Sequence, residues 1–251
     1  MKRIITPMIL AFSLTGAGCK KDKDTKPVCQ LTVITPDRGG VANLYYDDQG
    51  RLNMMRISDR EIKYEYRSDS IIATETKSLG FYQRLKYKMN ANGLPLSIRQ
   101  EINITGSQWF QRNFEYNGTE VTKTVTSSSA NSGTQTYEYS WNNGNLAKVV
   151  EGPNEWKYEY YTDKERVQGD GFLIEMISLS GSIAMYTLNG AIEIVRNRNL
   201  LKKMEHTLLN TGSYSISYEY DADKDGKIEK AYMLNSNSNI KTQLDYQYQC
   251  K

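Results

Sequence analysis

The sequence predicts an all-β fold, an antiparallel meander of hairpin repeats forming a curved sheet or a partly closed barrel. Three observations predict it. Aromatic and charged residues alternate in short runs, Tyr64-Glu65-Tyr66, Phe114-Glu115-Tyr116, Tyr137-Glu138-Tyr139, Tyr158-Glu159-Tyr160 and Tyr218-Glu219-Tyr220, the period of a strand with two unlike faces. Turn clusters follow these runs, such as Asp47-Asp48-Gln49-Gly50, Asn117-Gly118 and Asn142-Asn143-Gly144, and such pairs supply the positive φ angles that tight hairpins need. The third is composition. Only 39% of the chain is hydrophobic even though that count includes 19 tyrosines, so the core is thin and rich in rings whose hydroxyls can still find a partner.

From the N-terminus, Lys2 and Arg3 precede an apolar stretch from Ile4 to Leu14, too short to cross a bilayer as a helix, which takes about twenty residues. Residues 1–18 therefore read as a cleaved signal. Gly16-Ala17-Gly18-Cys19 resembles a bacterial lipobox, with Gly16 departing from the branched apolar residue usual there. The resemblance implies cleavage before Cys19 and lipidation of that cysteine, and hence an outer-membrane lipid anchor; several acyl chains hold a membrane where one chain is marginal. The charged segment 19–28 reads as a solvated tether. Its Lys20-Lys21-Asp22-Lys23-Asp24 run also resembles the surface-export signals of Bacteroidota lipoproteins, which leaves the cell surface and the periplasmic face both open.

Residues 29–251 form a single β domain, a size ordinary for sandwiches and barrels. Cys29 and Cys250 stand at its two extremes. In an oxidising extracytoplasmic compartment they read as a disulfide, with two unpaired thiols as the alternative. A bond would bring the first and last strands side by side.

Within the domain, turn signals recur about every 8 to 14 residues, leaving little room for parallel crossovers. Trp156, Tyr158 and Tyr160 share one face of their strand, as do Tyr137, Tyr139 and Trp141; the charges take the other. Trp109 is out of phase, on the face of Gln111, Asn113 and Glu115, which reads as partial burial at a strand end or under a loop, with an exposed platform as the alternative. Leu52, Met54, Met55 and Ile57 place apolar groups on both faces of one strand. Two stretches are ambiguous, Phe172 to Met185 and Asn199 to Asn210. In the second, Leu200, Leu201, Met204 and Leu208 have helical spacing, whereas the flanking Asn189-Gly190 and Thr211-Gly212 favour another hairpin. Ser127 to Thr136 reads as a hairpin loop.

Tyr46-Asp47-Asp48-Gln49-Gly50-Arg51-Leu52 resembles the core of the YD (RHS-type) repeat, and Tyr220-Asp221 to Gly226-Lys227-Ile228 is similar with two inserted residues. Signal, tyrosine-rich hairpins and near-terminal cysteine together resemble uncharacterised β-rich lipoproteins of Bacteroidota that carry degenerate repeats of this kind. The motif implies a way of folding and carries no catalytic residues.

Candidate chemistry is sparse. Asp221, Asp223, Asp225 and Gly226 match the start of a calcium loop, with Glu229 as a further oxygen donor. Tyr232 stands where an EF-hand would place glutamate, so the alternatives are a weak calcium-stabilised turn and an ordinary acidic hairpin turn; no other cofactor is expected. His206 is the only histidine, which leaves zinc and Ser-His chemistry without parts, and it reads as a half-exposed strand residue. Asp69-Ser70-Ile71 resembles the short O-glycosylation acceptor of Bacteroidota, with Ser70 as the acceptor. A net charge of +3 with signs interspersed makes no case for nucleic acid. The expected function is a non-enzymatic binding or scaffold module, with Trp109, Trp141 and Trp156 as stacking residues for a glycan or protein ligand. A purely structural envelope component and a glycan hydrolase are the alternatives.

Overall fold

A computed structural model of the protein describes residues 29–78, 80–166, 194–208 and 212–250. Among them the chain runs β1 (Cys29–Pro36), β2 (Ala42–Tyr46), β3 (Leu52–Ile57), β4 (Arg60–Tyr66) and β5 (Ser70–Lys77). It continues through β6 (Gly80–Met89), β7 (Pro95–Glu101), β8 (Trp109–Asn117), β9 (Glu120–Ser128), β10 (Gln135–Asn142) and β11 (Asn145–Glu151). The last strands are β12 (Asn154–Glu165), β13 (Asn199–Leu208), β14 (Gly212–Ala222), β15 (Ile228–Asn235) and β16 (Lys241–Cys250).

Every strand pairs with its sequence neighbours, and β1 pairs antiparallel with β16, so the wall is a closed barrel. The meander expected from sequence is present, and its closure is complete rather than partial. Cys29 faces Cys250 in the β1–β16 register and is bonded to it. Closure removes the unpaired edges that an open sheet would leave.

Each strand turns one face inward. On β4, Ile62 and Tyr64 are buried between Glu61, Lys63 and Glu65; on β12, Trp156 and Tyr158 are buried between Glu155, Lys157 and Glu159. Residues such as Ile34, Ile98 and Leu146 are fully buried on this inner face. Burying one such side chain contributes about 2 kcal/mol. Part of the inner wall is polar: Gln83 donates to Glu75 and Gln100 donates to Gln83, each at 2.5 Å, and Arg60 lies 3.4 Å from Glu75.

We call the rim carrying Cys29 and Cys250 the near rim. Three of its turns share one construction. Asp47 Oδ1 accepts from the backbone of Gln49 and Arg51, and Gly50 N donates to Asp47 O. Asn90 does the same for Asn92, Leu94 and Gly93, and Asp223 for Asp225, Lys227 and Gly226. The glycine closes each turn at positive φ, 76° at Gly50 and 84° at Gly226, where a Cβ would be strained. A register shift follows between β2 and β3, β6 and β7, β8 and β9, β10 and β11, β12 and β13, and β14 and β15. The bulge re-aims the outgoing strand, so inward residues sit three apart: Leu52 and Met55, Leu146 and Val149, Leu201 and Met204, Ile228 and Ala231. The apparently two-sided β3 is thereby corrected to a strand with one inner face phased by its bulge, and the hairpin reading of Asn199 to Asn210, favoured over the helical one by the flanking turns, is found as strand β13 over Asn199–Leu208. Phe172 to Met185 lies outside the described residues.

On β2, β4, β8, β10 and β14 the aromatic near the strand's end ties back to the strand before it. Tyr46, Tyr66, Tyr116 and Tyr220 donate their hydroxyls to the carbonyls of Leu31, Leu52, Pro95 and Leu201, and Trp141 Nε1 donates to Val121 O, all at 2.7–2.9 Å. Burial pushes the Tyr46 and Tyr66 hydroxyls up to about 12, so they remain proton donors.

Candidate ligand surface on the outer wall

Trp109 opens β8 and faces outward, as its phase in the sequence predicts. Its neighbours come from register. Across β6, β7 and β8 the outer face presents Arg84, Glu101 and Trp109 in one row, Lys86, Arg99 and Gln111 in the next, and Lys88, Ser97 and Asn113 in the third. Rows of this kind repeat about every 7 Å along a strand, and strands lie about 4.8 Å apart.

One carboxylate organises the first two rows. Glu101 is 4% exposed, and Lys86 Nζ approaches it at 2.6 Å, Arg84 Nη1 at 3.4 Å and Arg99 Nε at 3.7 Å. The cations remain partly open to solvent, with side-chain exposures of 45%, 29% and 38%. Arg99 lies over the Trp109 ring at 4.6 Å and Arg84 over the Phe81 ring at 5.5 Å, contacts that hold the guanidinium planes. The 102–108 loop covers Glu101. It is closed by Ile102 N to Gln108 O and Gly106 N to Asn103 O, both 3.0 Å, and Arg99 Nη2 donates to Gly106 O at 3.3 Å. A Cβ on Gly106, whose φ is +69°, would stand 2.9 Å from Glu101 Oε1.

The other sequence-nominated residues do not join this surface. Trp141 faces inward at the near rim with its indole N–H engaged. Trp156 is 7% exposed and stacks on His206 with ring centres 4.3 Å apart. Of the three tryptophans expected to stack on a ligand, only Trp109 faces outward, and it is partly buried; the strand phase that turns Trp109 out buries Trp156. His206 is corrected as well, from half-exposed to buried. It sits between Trp156 and the edge of Tyr214, and burial holds its imidazole below the usual histidine range.

Asp221, Asp223 and Asp225 lie at the β14–β15 turn, but their oxygens do not converge. Asp221 Oδ2 accepts from Tyr232 OH at 2.8 Å, while Asp223 Oδ1 is occupied by two backbone N–H groups. The hydrogen bond from the Lys227 backbone holds the Asp223 carboxyl below its usual range. Glu229 points outward on β15, and among the described residues no group of three His, Cys, Asp or Glu could hold a metal. Ser70 opens β5 at the near rim, its Oγ donating to Asp69 Oδ1 at 3.2 Å. Cys19 lies outside the described residues. Sequence reasoning missed Arg84, Lys86, Arg99 and Glu101; only the odd phase of Trp109 pointed toward them.

No protein-family model and no curated protein matches the chain. Among solved structures it is similar to a porin-like protein from Bacteroides vulgatus ATCC 8482, 14% identical with a TM-score of 0.64 over 87% of this chain and 98% of that one. A porin-like protein from Bacteroides uniformis ATCC 8492 is similar at 12% identity and a TM-score of 0.62, covering 88% of this chain and 96% of that one. At such identities the likeness establishes the barrel fold alone.

Proposed function

We propose that the protein is a non-enzymatic binding module, held on the outer membrane by lipid on Cys19, whose barrel stands in water and presents its outer wall to a glycan. The charged outer wall carries this reading. A barrel that spans a membrane needs an apolar outer band and keeps its polar residues inside. Here the outward positions of β4, β12 and β14 include Glu61, Lys63, Glu65, Glu155, Lys157, Glu159, Ser217, Glu219 and Asp221, while Ile62, Tyr64, Trp156, Tyr158, Ile216, Tyr218 and Tyr220 point in. A bilayer-centred lysine or arginine on the lipid face costs about 2–4 kcal/mol; several together oppose insertion of the wall.

The polar segment 19–28 spans at most roughly 35 Å when extended, and it joins the barrel at the near rim. Lipid on Cys19 therefore holds that rim toward the membrane and leaves the opposite rim, with Trp109 and the 102–108 loop, facing away. Fractionation of cells making the wild type and Cys19→Ala tests the anchor. Wild type incorporates labelled palmitate and sediments with outer membrane, and the variant is released soluble and folded. A Cys19→Ala protein still embedded in membrane would contradict the reading.

A further inference from the structure

We infer that the outer face of β6–β8 binds an anionic glycan, a polysaccharide carrying carboxylate or sulfate groups along its length. The inference deepens the proposed binding function and rests on it.

The patch is a fixed array. Three cations share Glu101, which is covered by the 102–108 loop and cannot itself meet a ligand. The carboxylate orients them and cancels only one of three charges. Elsewhere on the wall a carboxylate holds one cation, as Glu205, Glu219 and Glu115 hold Lys203, Lys241 and Lys123, or two exposed ones, as Glu61 holds Arg56 and Lys63 and Glu155 holds Lys148 and Lys157; Glu101 holds three. Lys88 continues the row on β6 and stands opposite Ser97 with no acid beside it in that row. Arg84, Lys86 and Lys88 thus form a line of positive charge about 13 Å long, a length that matches successive charged sugars and exceeds a single small anion.

The remaining groups suit a sugar. Arg99 covers one face of the partly buried Trp109 indole, and the rest of the ring is an amphipathic surface on which a sugar face can stack. Gln111 and Asn113 stand in the adjoining positions, with Gln111 Nε2 donating to Asn113 Oδ1 at 3.1 Å, leaving amide groups for ring hydroxyls. Guanidinium groups match carboxylate and sulfate through paired N–H donors. Their geometry is set before any ligand arrives, which lowers the ordering cost of binding.

The test is a titration of the intact, lipid-free Cys19→Ala protein with polygalacturonate oligosaccharides, read by tryptophan fluorescence and calorimetry, with dextran oligosaccharides and polyaspartate as controls. Polygalacturonate is expected to change the emission, to bind at least tenfold more weakly in 0.5 M than in 0.05 M salt, and to lose at least tenfold in affinity in Arg99→Gln and in Trp109→Ala. Lys241→Gln, on the far side of the wall, keeps wild-type affinity, and circular dichroism confirms each variant folded. Lack of polygalacturonate binding, equal binding in the patch variants, equal binding to dextran, or polyaspartate matching polygalacturonate would each overturn the inference. Binding of dextran alone would do so while leaving a neutral-glycan module intact, and the Cys19 fractionation reads the anchor independently.

Discussion

His206 is the chain's only histidine, and its position sets the pH behaviour of the whole fold. Burial between Trp156 and Tyr214 lowers its proton affinity in the native state, whereas the unfolded chain takes up a proton near the ordinary value of 6.5. Between those two values the unfolded state holds more protons, so stability falls as pH drops below about 6.5. Urea unfolding from pH 7.5 to 5 should show this loss in wild type, and His206→Phe should flatten it. The carboxylates contribute in a separate, lower window. Asp47, Asp223 and Glu61 are held below their usual values by hydrogen bonds from Arg51, Lys227 and Lys63, so their stabilisation is complete above the ordinary carboxylate range and is lost as pH falls from there through the lowered native values. The rim tyrosines make the second prediction at this scale. Tyr220 is buried and its hydroxyl alone reaches Leu201 O; Tyr220→Phe should cost about 1 kcal/mol in urea unfolding, and an unchanged midpoint would remove the rim bonds from the account.

The repeating element is an incoming strand ending in an aromatic, a turn opened by Asp or Asn and closed by Gly, and an outgoing strand phased by a bulge. Asn90 builds the β6–β7 turn as Asp47 and Asp223 build theirs, so a neutral side-chain oxygen is enough to make the turn, and the charge of Asp47 and Asp223 adds to those hydrogen bonds. Accordingly Asp223→Asn should lower the urea midpoint less than Asp223→Ala does, with the melting temperature of wild type unmoved by millimolar calcium. A calcium-dependent rise would restore the metal reading of Asp221, Asp225 and Glu229. The incoming strands were legible because tyrosine and charge alternate without interruption. The outgoing strands were not, since a bulge one step after the turn converts a two-residue period into a three-residue one, and in Leu200, Leu201 and Met204 that imitates a helix. The outer patch was illegible for a related reason: Arg84, Glu101 and Trp109 become neighbours only through pairings between three strands.

Across the whole molecule, closure and polarity are separate facts. Closure depends on β1 meeting β16, where Cys29 and Cys250 lock chain ends 221 residues apart. In the chain-entropy treatment a loop of that length is worth about 5 kcal/mol. A Cys29→Ser, Cys250→Ser double variant should therefore remain a β protein but melt well below wild type, and reduction should move the wild type alone. Two cysteines were enough to place the ends together from sequence; nothing in the hairpins alone distinguished a curled sheet from a ring. Polarity then decides what surrounds the ring, because glutamate and lysine face out from β4 and β12 while Tyr64, Trp156 and Tyr158 face in. The most direct measurement is the behaviour of the folded Cys19→Ala protein toward a lipid bilayer. It should stay monodisperse in detergent-free buffer, float with no liposome fraction and produce no conductance in a planar membrane; a requirement for detergent together with stepwise conductance would mean that the barrel lives in lipid.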